Sequence, residues 1–366
     1  MITVRTTGVV HRNPKPFLRA ANAWHPSPVT LPDGTIAVSF DLGQAVESLD
    51  YRTYLARSTD EGATWTSPVP VFTDSVPRRT SHSVRLGRAA DGTLIAMGGR
   101  FYRDDPEEGL ANRRNLGYTE MDVICLTSVD QGRTWDGPRT VATPLVGPAF
   151  ETCHGVIELP DGRWLWPTST WRGWNGEEPN GMKAVALVSR DRGRTWPEYL
   201  DVMDGHARGL IYWEQSLVVL PDGRLLAVCW AYDEPKGVTH GVHYAVSTDG
   251  RTFSPPRDTG IAGETTKLLS LGDGRVFCAY RGTEPPGLWG AIACLNGGEW
   301  STLERVPLWG GGATRMFGQG VSTDELSNLK LGYPQSVRLS NGDVLTVFWC
   351  CEDGVYNIRW LRTAVA

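Results

Sequence analysis

The chain has 366 residues and a formal charge of −5, from 36 basic and 41 acidic side chains. These charges are interspersed, so the basic stripe of a nucleic-acid-binding protein is absent, and no stretch approaches the ~18 apolar residues of a membrane span. The first residues lack the charged and then apolar pattern of a secretion leader, so we expect a cytoplasmic protein. The 15 Trp, 42 Gly and 24 Pro residues favour many short strands joined by tight turns.

One short pattern recurs along the whole chain: an apolar segment, an Asp-Gly or Asn-Gly turn, and a second apolar segment. Such a dipeptide between two apolar runs is a strong indication of a β-hairpin. The six turns are Asp33-Gly34, Asp91-Gly92, Asp161-Gly162, Asp222-Gly223, Asp273-Gly274 and Asn341-Gly342. Six hairpins predict six repeated units.

A second repeat, with the pattern S-x-D-x-G-x-T-W, is interleaved with the first. Three full copies begin at Ser58, Ser128 and Ser189, a shorter one begins at Ser247, and a degenerate one ends at Trp300. The Asp carboxylate can accept backbone N–H groups, the Gly takes a positive φ, and the Trp ring packs beneath the turn. The pattern therefore predicts a self-supporting hairpin turn in each unit.

Each unit has the apolar pattern of four strands, but the last unit ends with its third strand at residues 356–362. Its fourth strand is predicted to come from residues 2–6, which would close a ring. The sequence thus predicts an all-β fold: a six-bladed β-propeller with four-stranded antiparallel blades, formed by residues 1–366 as a single domain.

The second repeat resembles the Asp box of sialidases and related propellers, and this resemblance extends over essentially the whole chain. It implies a carbohydrate-processing site at the mouth of the central channel. In that family a Tyr at the start of the last inner strand is the nucleophile and a Glu on an earlier blade is its base; Tyr333 and Glu214 match these two positions. The family acid lies on a loop of the first blade, where Asp50 matches best and Glu47 and Asp41 are rivals.

The starts of the six inner strands should converge at the channel when the strands are aligned on their turns. This alignment selects His25, His82, His154, Glu214, Lys267 and Tyr333. Such a set is typical of a catalytic or sugar-binding site, although three separately buried histidines are an alternative interpretation. A metal site is the least favoured interpretation, and no cofactor is predicted.

The sequence departs from sialidases at the arginines that bind the sialic-acid carboxylate. Trp24 and Trp230 occupy two of these positions, and only Arg281, Arg305 and Arg315 are candidates for the third. Indole rings cannot replace bidentate guanidinium contacts, so sialosides should be poor substrates. The two Trp rings instead suggest stacking against a neutral sugar, unless they only fill the channel wall.

Three functions are compatible with these residues, and in each the partner is a small carbohydrate or oligosaccharide. The leading hypothesis is a retaining exo-glycosidase in which Asp50 protonates the leaving oxygen and Tyr333 attacks, with Glu214 as its base. The alternative is a polysaccharide lyase acting on uronic-acid glycans, with a His or Tyr base and Lys267 or an Arg neutralising the carboxylate. A non-catalytic glycan-binding propeller is the third.

Overall fold

A computed structural model of the protein describes residues 1–310 and 330–366. These residues form six antiparallel sheets and one short 3₁₀ turn at His206–Arg208. The inner strands of successive sheets pack against one another, and the first also packs against the last. Within these ranges no helix is long and apolar enough to cross a membrane. The predicted six-bladed propeller is confirmed.

In the first three blades the strands run from the channel outward in chain order, and the third blade has its inner strand split into two short pieces. Blade 1 contains β2 (Asn22–Thr30), β3 (Ile36–Gly43), β4 (Arg52–Ser58) and β5 (Val69–Pro70). Blade 2 contains β6 (Thr80–Arg88), β7 (Leu94–Tyr102), β8 (Met121–Ser128) and β9 (Asp136–Thr140). Blade 3 contains β10 (Ala149–Phe150), β11 (Ile157–Glu158), β12 (Trp164–Trp171), β13 (Ala184–Ser189) and β14 (Glu198–Met203).

The last three blades follow the same order, except that the outermost strand of blade 6 comes from the start of the chain. Blade 4 contains β15 (Leu210–Val219), β16 (Leu225–Asp233), β17 (Val238–Ser247) and β18 (Arg257–Asp258). Blade 5 contains β19 (Gly263–Ser270), β20 (Arg275–Thr283), β21 (Pro286–Asn296) and β22 (Glu299–Trp309). Blade 6 contains β23 (Leu331–Arg338), β24 (Val344–Glu352), β25 (Val355–Val365) and β1 (Ile2–His11).

The pairing of β1 with β25 closes the ring, as predicted. Ile2 lies opposite Val365, and the pairing continues to His11 opposite Ile358. The contact is tight at Gly8, where a Cβ atom would lie 2.7 Å from the ring of Trp360. The two ends of the chain are thereby held in one sheet.

The two repeated turns have the conformations expected from their residues. The glycines of all six hairpin turns have φ between +83° and +91°, a region that favours glycine. In the first Asp box, the Asp60 carboxylate accepts from the N–H of Thr64 at 2.9 Å and from its hydroxyl at 2.6 Å. Trp65 donates its indole N–H to the carbonyl of Gly62 at 2.9 Å. These local bonds make each turn a fixed element on the face away from the long loops.

Candidate active site

Four of the six inner strands carry the same two-residue bulge near their start. The ladder skips two residues in blades 1, 4, 5 and 6, and the first skipped residue has φ close to +50°. A bulge re-aims a side chain relative to the regular alternation of a strand. The four residues are His25, Glu214, Thr265 and Tyr333, and all four line one cavity.

This cavity has a volume of about 190 Å³ and lies where the six blades meet the long loops. Every blade contributes to its wall, through His25, Arg85, Glu151, Glu214, Arg281 and Tyr333 in blade order. The loops after β3 and β7 add further residues, among them Glu47 and Asn112. The long loops and the starts of the inner strands therefore lie on one face of the described residues.

Two carboxyl groups, Glu151 and Glu214, are held next to each other in the cavity. The backbone N–H of Glu214 donates to Oε2 of Glu151 at 2.9 Å. The carboxylate of Glu214 accepts from the indole N–H of Trp230 at 2.8 Å. Burial and the neighbouring charge of Glu214 raise the pKa of Glu151 to about 8. Burial also raises the pKa of Glu214, but the charges of Lys267 and Arg281 oppose this shift.

Tyr333 is buried in the cavity wall, but its hydroxyl group is occupied by backbone. Its single proton is shared between the carbonyl oxygens of Cys153, at 2.5 Å, and Thr152, at 3.1 Å. Burial raises the pKa of Tyr333 well above 10. The hydrogen bond expected between Tyr333 and Glu214 is therefore not made, because the phenol is directed at blade 3 while the carboxylate of Glu214 is held by Trp230.

Tryptophan rings form a large part of the wall. Trp213 packs against Trp230, with ring centroids 4.6 Å apart, and edge-on against Trp171 at 5.1 Å. Trp349 lines the same cavity. The indole N–H of Trp213 and the hydroxyl of Thr265 have no hydrogen-bond partner among the described residues. The wall thus combines flat aromatic faces with a few polar side chains.

The two buried arginines of the cavity are each paired with a buried carboxylate. Arg85 donates to Asp41 at 3.1 Å, and Arg281 donates to Glu264 through Nε at 3.1 Å. All four side chains are at most 3% exposed. Because each guanidinium already has its counter-charge, neither is a free cation for a substrate carboxylate.

Asp50, predicted as the acid, does not reach the cavity. It is exposed, and its carboxylate accepts from the backbone N–H of Gln44 at 3.1 Å. Both rivals lie closer to the site: Glu47 lines the cavity, and Asp41 is fully buried behind it. The loop after β3 folds back on itself at Asp50, so the structure does not bring the predicted acid into the cavity.

Three other predicted site residues also lie outside the cavity. His82 is buried against Phe72, with ring centroids 4.0 Å apart, and His154 contacts the carbonyl of Gly155 at 2.8 Å. Lys267 donates to three carbonyls, those of Cys153, Glu214 and Gln215, at 2.9, 2.9 and 3.2 Å. The three histidines do not converge, and in the described residues no group of three His, Cys, Asp or Glu side chains could hold a metal ion.

The remaining predicted residues divide between the cavity and the core. His25, Trp230 and Arg281 line the cavity. Trp24 does not, because the bulge that turns His25 inward leaves Trp24 packed against Tyr356, with ring centroids 5.1 Å apart. Arg315 lies outside the described residues.

The alignment on hairpin turns missed Glu151 and Arg85. The inner strand of blade 3 is interrupted between Phe150 and Ile157. An alignment that counts residues back from the Asp161-Gly162 turn therefore selects His154 instead of Glu151. Blade 2 has no bulge, so regular alternation directs Ser83 and Arg85 into the cavity and His82 away from it. The acidic residue after the apolar pair Ala149-Phe150 was the available indication of Glu151.

A family model described as a BNR repeat-like domain matches residues 107–346. A sequence comparison with curated proteins finds no match. Among solved structures, a protein of unknown function from Dyadobacter fermentans is 22% identical with a TM-score of 0.77, covering 100% of this chain and 99% of that one.

Two other similar structures belong to proteins that act on carbohydrates. An α-L-arabinanase from Penicillium chrysogenum is 17% identical with a TM-score of 0.67, covering 99% of this chain and 98% of that one. The NanB sialidase from Streptococcus pneumoniae is 12% identical with a TM-score of 0.67, covering 98% of this chain and 70% of that one. At these identities the likeness is one of fold.

Proposed function

Because this chain belongs to the family of BNR repeat-like domains, we propose that it is a glycoside hydrolase that removes a neutral sugar from the end of a glycan. The observation that carries the proposal is the pair of adjacent carboxyl groups, Glu151, which is buried, and Glu214, which is partly exposed to the cavity. Two carboxyl groups in different protonation states are what cleavage of a glycosidic bond requires. The arabinanase and sialidase among the similar folds are in accord with this class of reaction.

The residues around the two carboxyl groups favour a proton on Glu151 and not on Glu214. The ammonium of Lys267 and the indole N–H of Trp230 favour the ionised form of Glu214, and the charge of Arg281 adds to them although its partner Glu264 opposes it. Glu151 is buried beside that negative charge, which favours its neutral form and raises its pKa to about 8. In the proposed reaction Glu151 is then the carboxylic acid and Glu214 the carboxylate.

The reaction proceeds in two steps with retention of configuration. Glu151 donates its proton to the glycosidic oxygen while the carboxylate of Glu214 attacks the anomeric carbon, so the bond to the leaving alcohol breaks and a glycosyl ester forms. Glu151, now ionised, then takes a proton from water, and the hydroxide oxygen displaces Glu214 from the anomeric carbon. The proton balance is restored with one water consumed.

A second candidate nucleophile is Tyr333, with Glu214 as its base. The feature that favours it is charge: the ammonium of Lys267 lies 4.7 Å from the centroid of the Tyr333 ring, and the guanidinium carbon of Arg85 lies 5.2 Å from it. Two cations would stabilise a phenolate. This route requires the hydroxyl of Tyr333 to leave the carbonyls of Thr152 and Cys153, so we place it second.

A neutral substrate is supported by the pairing of the arginines and by the aromatic wall. Arg85 and Arg281 are neutralised by Asp41 and Glu264, which disfavours both a sialic acid and the uronate that a lyase would need. Trp rings offer the apolar face of a sugar a surface to stack on. The cavity ends at buried side chains such as Tyr333, so the end of a glycan rather than its interior would enter.

The proposal is tested with a panel of neutral aryl glycosides, aryl sialosides and uronate oligosaccharides. We expect release of phenol from at least one neutral glycoside and its loss in Glu214→Gln. Formation of an unsaturated uronate, followed by its ultraviolet absorbance, would instead support a lyase. Binding of a sugar without turnover of any substrate would support a glycan-binding propeller.

A further inference from the structure

A second polar network reaches the cavity at His25 and is not used in the reaction above. His25 stands at the bulge of β2 with φ +50°, and 23% of its side chain is exposed. Its ring packs edge-on against Tyr333, with ring centroids 5.1 Å apart. The bulge and this contact together fix the direction in which the imidazole faces the cavity.

Behind His25 lies the fully buried carboxylate of Asp41. It accepts from the hydroxyl of Thr53 at 2.6 Å, from that of Ser83 at 2.7 Å and from the guanidinium of Arg85 at 3.1 Å. A carboxylate with these donors and an arginine partner is ionised, and the pKa of Asp41 is lowered. Asp41 therefore acts only as an acceptor.

Tyr51 connects this carboxylate to the histidine. Its hydroxyl donates to Oδ2 of Asp41 at 3.1 Å and lies 2.6 Å from Nδ1 of His25. A phenol has one proton, so if that proton is shared with Asp41 the other contact must be donated by His25. Nδ1 also lies 3.6 Å from Oδ2 of Asp41, where a bare lone pair would be repelled. The arrangement thus favours a proton on Nδ1.

A neutral imidazole with its proton on Nδ1 has a bare lone pair on Nε2. Among the hydrogen bonds of residues 1–310 and 330–366, none involves Nε2 of His25. We propose that His25 is a specificity-determining residue whose Nε2 accepts a hydrogen bond from a hydroxyl group of the bound sugar. That the ligand is a sugar rests on the proposed function; the state of the imidazole does not.

In this arrangement Tyr51 and Asp41 are positioning residues. They hold the tautomer of His25 through a chain of two hydrogen bonds, from Nδ1 to the phenol and from the phenol to the carboxylate. A substrate without the matching hydroxyl would leave Nε2 buried and unpaired, which should lower kcat/KM by about 10- to 100-fold. The network therefore selects for a hydroxyl donor at one position of the sugar ring.

The tautomer is measured first, by heteronuclear NMR of the imidazole nitrogens in the free protein. We expect a protonated Nδ1 and a bare Nε2 for His25, and a mixture of tautomers in Tyr51→Phe, which lacks only the hydroxyl. A proton on Nε2 in the wild-type protein would overturn the proposal whether or not the protein hydrolyses any glycoside. A protonated Nδ1 in a protein that hydrolyses none would remove the proposed function and leave the assignment of the imidazole intact.

The role in specificity is measured with monodeoxy analogues of the aryl glycoside that is hydrolysed best. The informative variant is His25→Asn, because Asn tolerates positive φ and can still donate to Tyr51 from the place of Nδ1, but has no atom at the place of Nε2. The wild type should discriminate about 10- to 100-fold against one analogue, and His25→Asn should lose that discrimination while keeping the wild-type melting temperature. Equal discrimination by both proteins against every analogue would overturn the proposal.

Discussion

The backbone N–H of Glu214 and Oε2 of Glu151 are joined by a 2.9 Å hydrogen bond between two blades of the propeller. The bond exists because the bulge at Glu214 turns its backbone N–H away from the ladder of its own blade. It fixes the carboxyl of Glu151 close to the neighbouring carboxylate. Burial and the charge of Glu214 raise the pKa of Glu151 to about 8, even though the hydrogen bond from the backbone N–H opposes this shift. The acid of the proposed reaction is thus built by the backbone of one blade and the side chain of another.

The pH dependence of hydrolysis should show the titration of Glu151. The acid form is present below a pKa of about 8 and is lost as the pH rises through it, so kcat/KM should fall on the alkaline side near that value. Gln at position 151 cannot titrate, so the residual activity of Glu151→Gln should lack this alkaline limb. An unchanged limb in the variant would assign the titration to another group.

The nucleophile can be identified by trapping the glycosyl-enzyme. An activated deoxyfluoro glycoside forms the intermediate faster than it is hydrolysed, and peptide mass spectrometry then locates the label. We expect the label on Glu214, since the hydroxyl of Tyr333 is bound to two carbonyls. A label on Tyr333 would establish the second candidate route, and Tyr333→Phe would then abolish labelling.

Asp41, in β3, and Asp50, on the loop that follows this strand, provide a comparison of a buried and an exposed carboxylate. Asp41→Asn leaves the buried guanidinium of Arg85 without its counter-charge and should lower the free energy of unfolding by about 3 to 5 kcal/mol. Asp50→Asn changes an exposed group outside the cavity, so stability should stay within about 0.5 kcal/mol of the wild type. Its kcat should also be unchanged. Denaturant titration and steady-state kinetics test both statements, and a large loss of turnover in Asp50→Asn would restore it as the acid.

Lys267 has a structural role that can be measured separately from catalysis. Lys267→Met keeps the apolar stem but leaves the carbonyls of Cys153, Glu214 and Gln215 without their donor, so unfolding should require about 1 to 3 kcal/mol less free energy. Lys236→Met is the matched control, because Lys236 is 74% exposed and its ion pair with Asp233 should contribute about 1 kcal/mol at most. Equal midpoints for the two variants in denaturant would refute this role.

The fold could be predicted from the sequence because the turns that define it are local. An Asp-Gly turn or an Asp box needs only its own few residues, as the bonds of Asp60 to Thr64 show. The strand that closes the ring was also predictable, since the last unit lacked a fourth strand and residues 2–6 had the pattern of one.

The site was predicted less completely because it depends on register. A bulge in β2 separates His25 from Trp24, and the lack of one in β6 sends Arg85 rather than His82 into the cavity. A shift of one residue reverses the direction of every side chain in a strand. Neither the bulges nor the break in the inner strand before Ile157 can be recognised from the composition of the sequence. The sequence therefore indicated which kinds of side chain line the cavity, but not every position that supplies them.

The central claim is that Glu151 is the acid that protonates the leaving group, and its most direct test is the dependence of rate on that group. A dinitrophenyl leaving group needs no protonation, whereas a sugar or alkyl alcohol does. Glu151→Gln should therefore hydrolyse the dinitrophenyl glycoside at nearly the wild-type rate of bond cleavage and the corresponding disaccharide at least about 10²-fold more slowly than the wild type. An equal loss on both substrates would contradict the assignment of Glu151 as the acid.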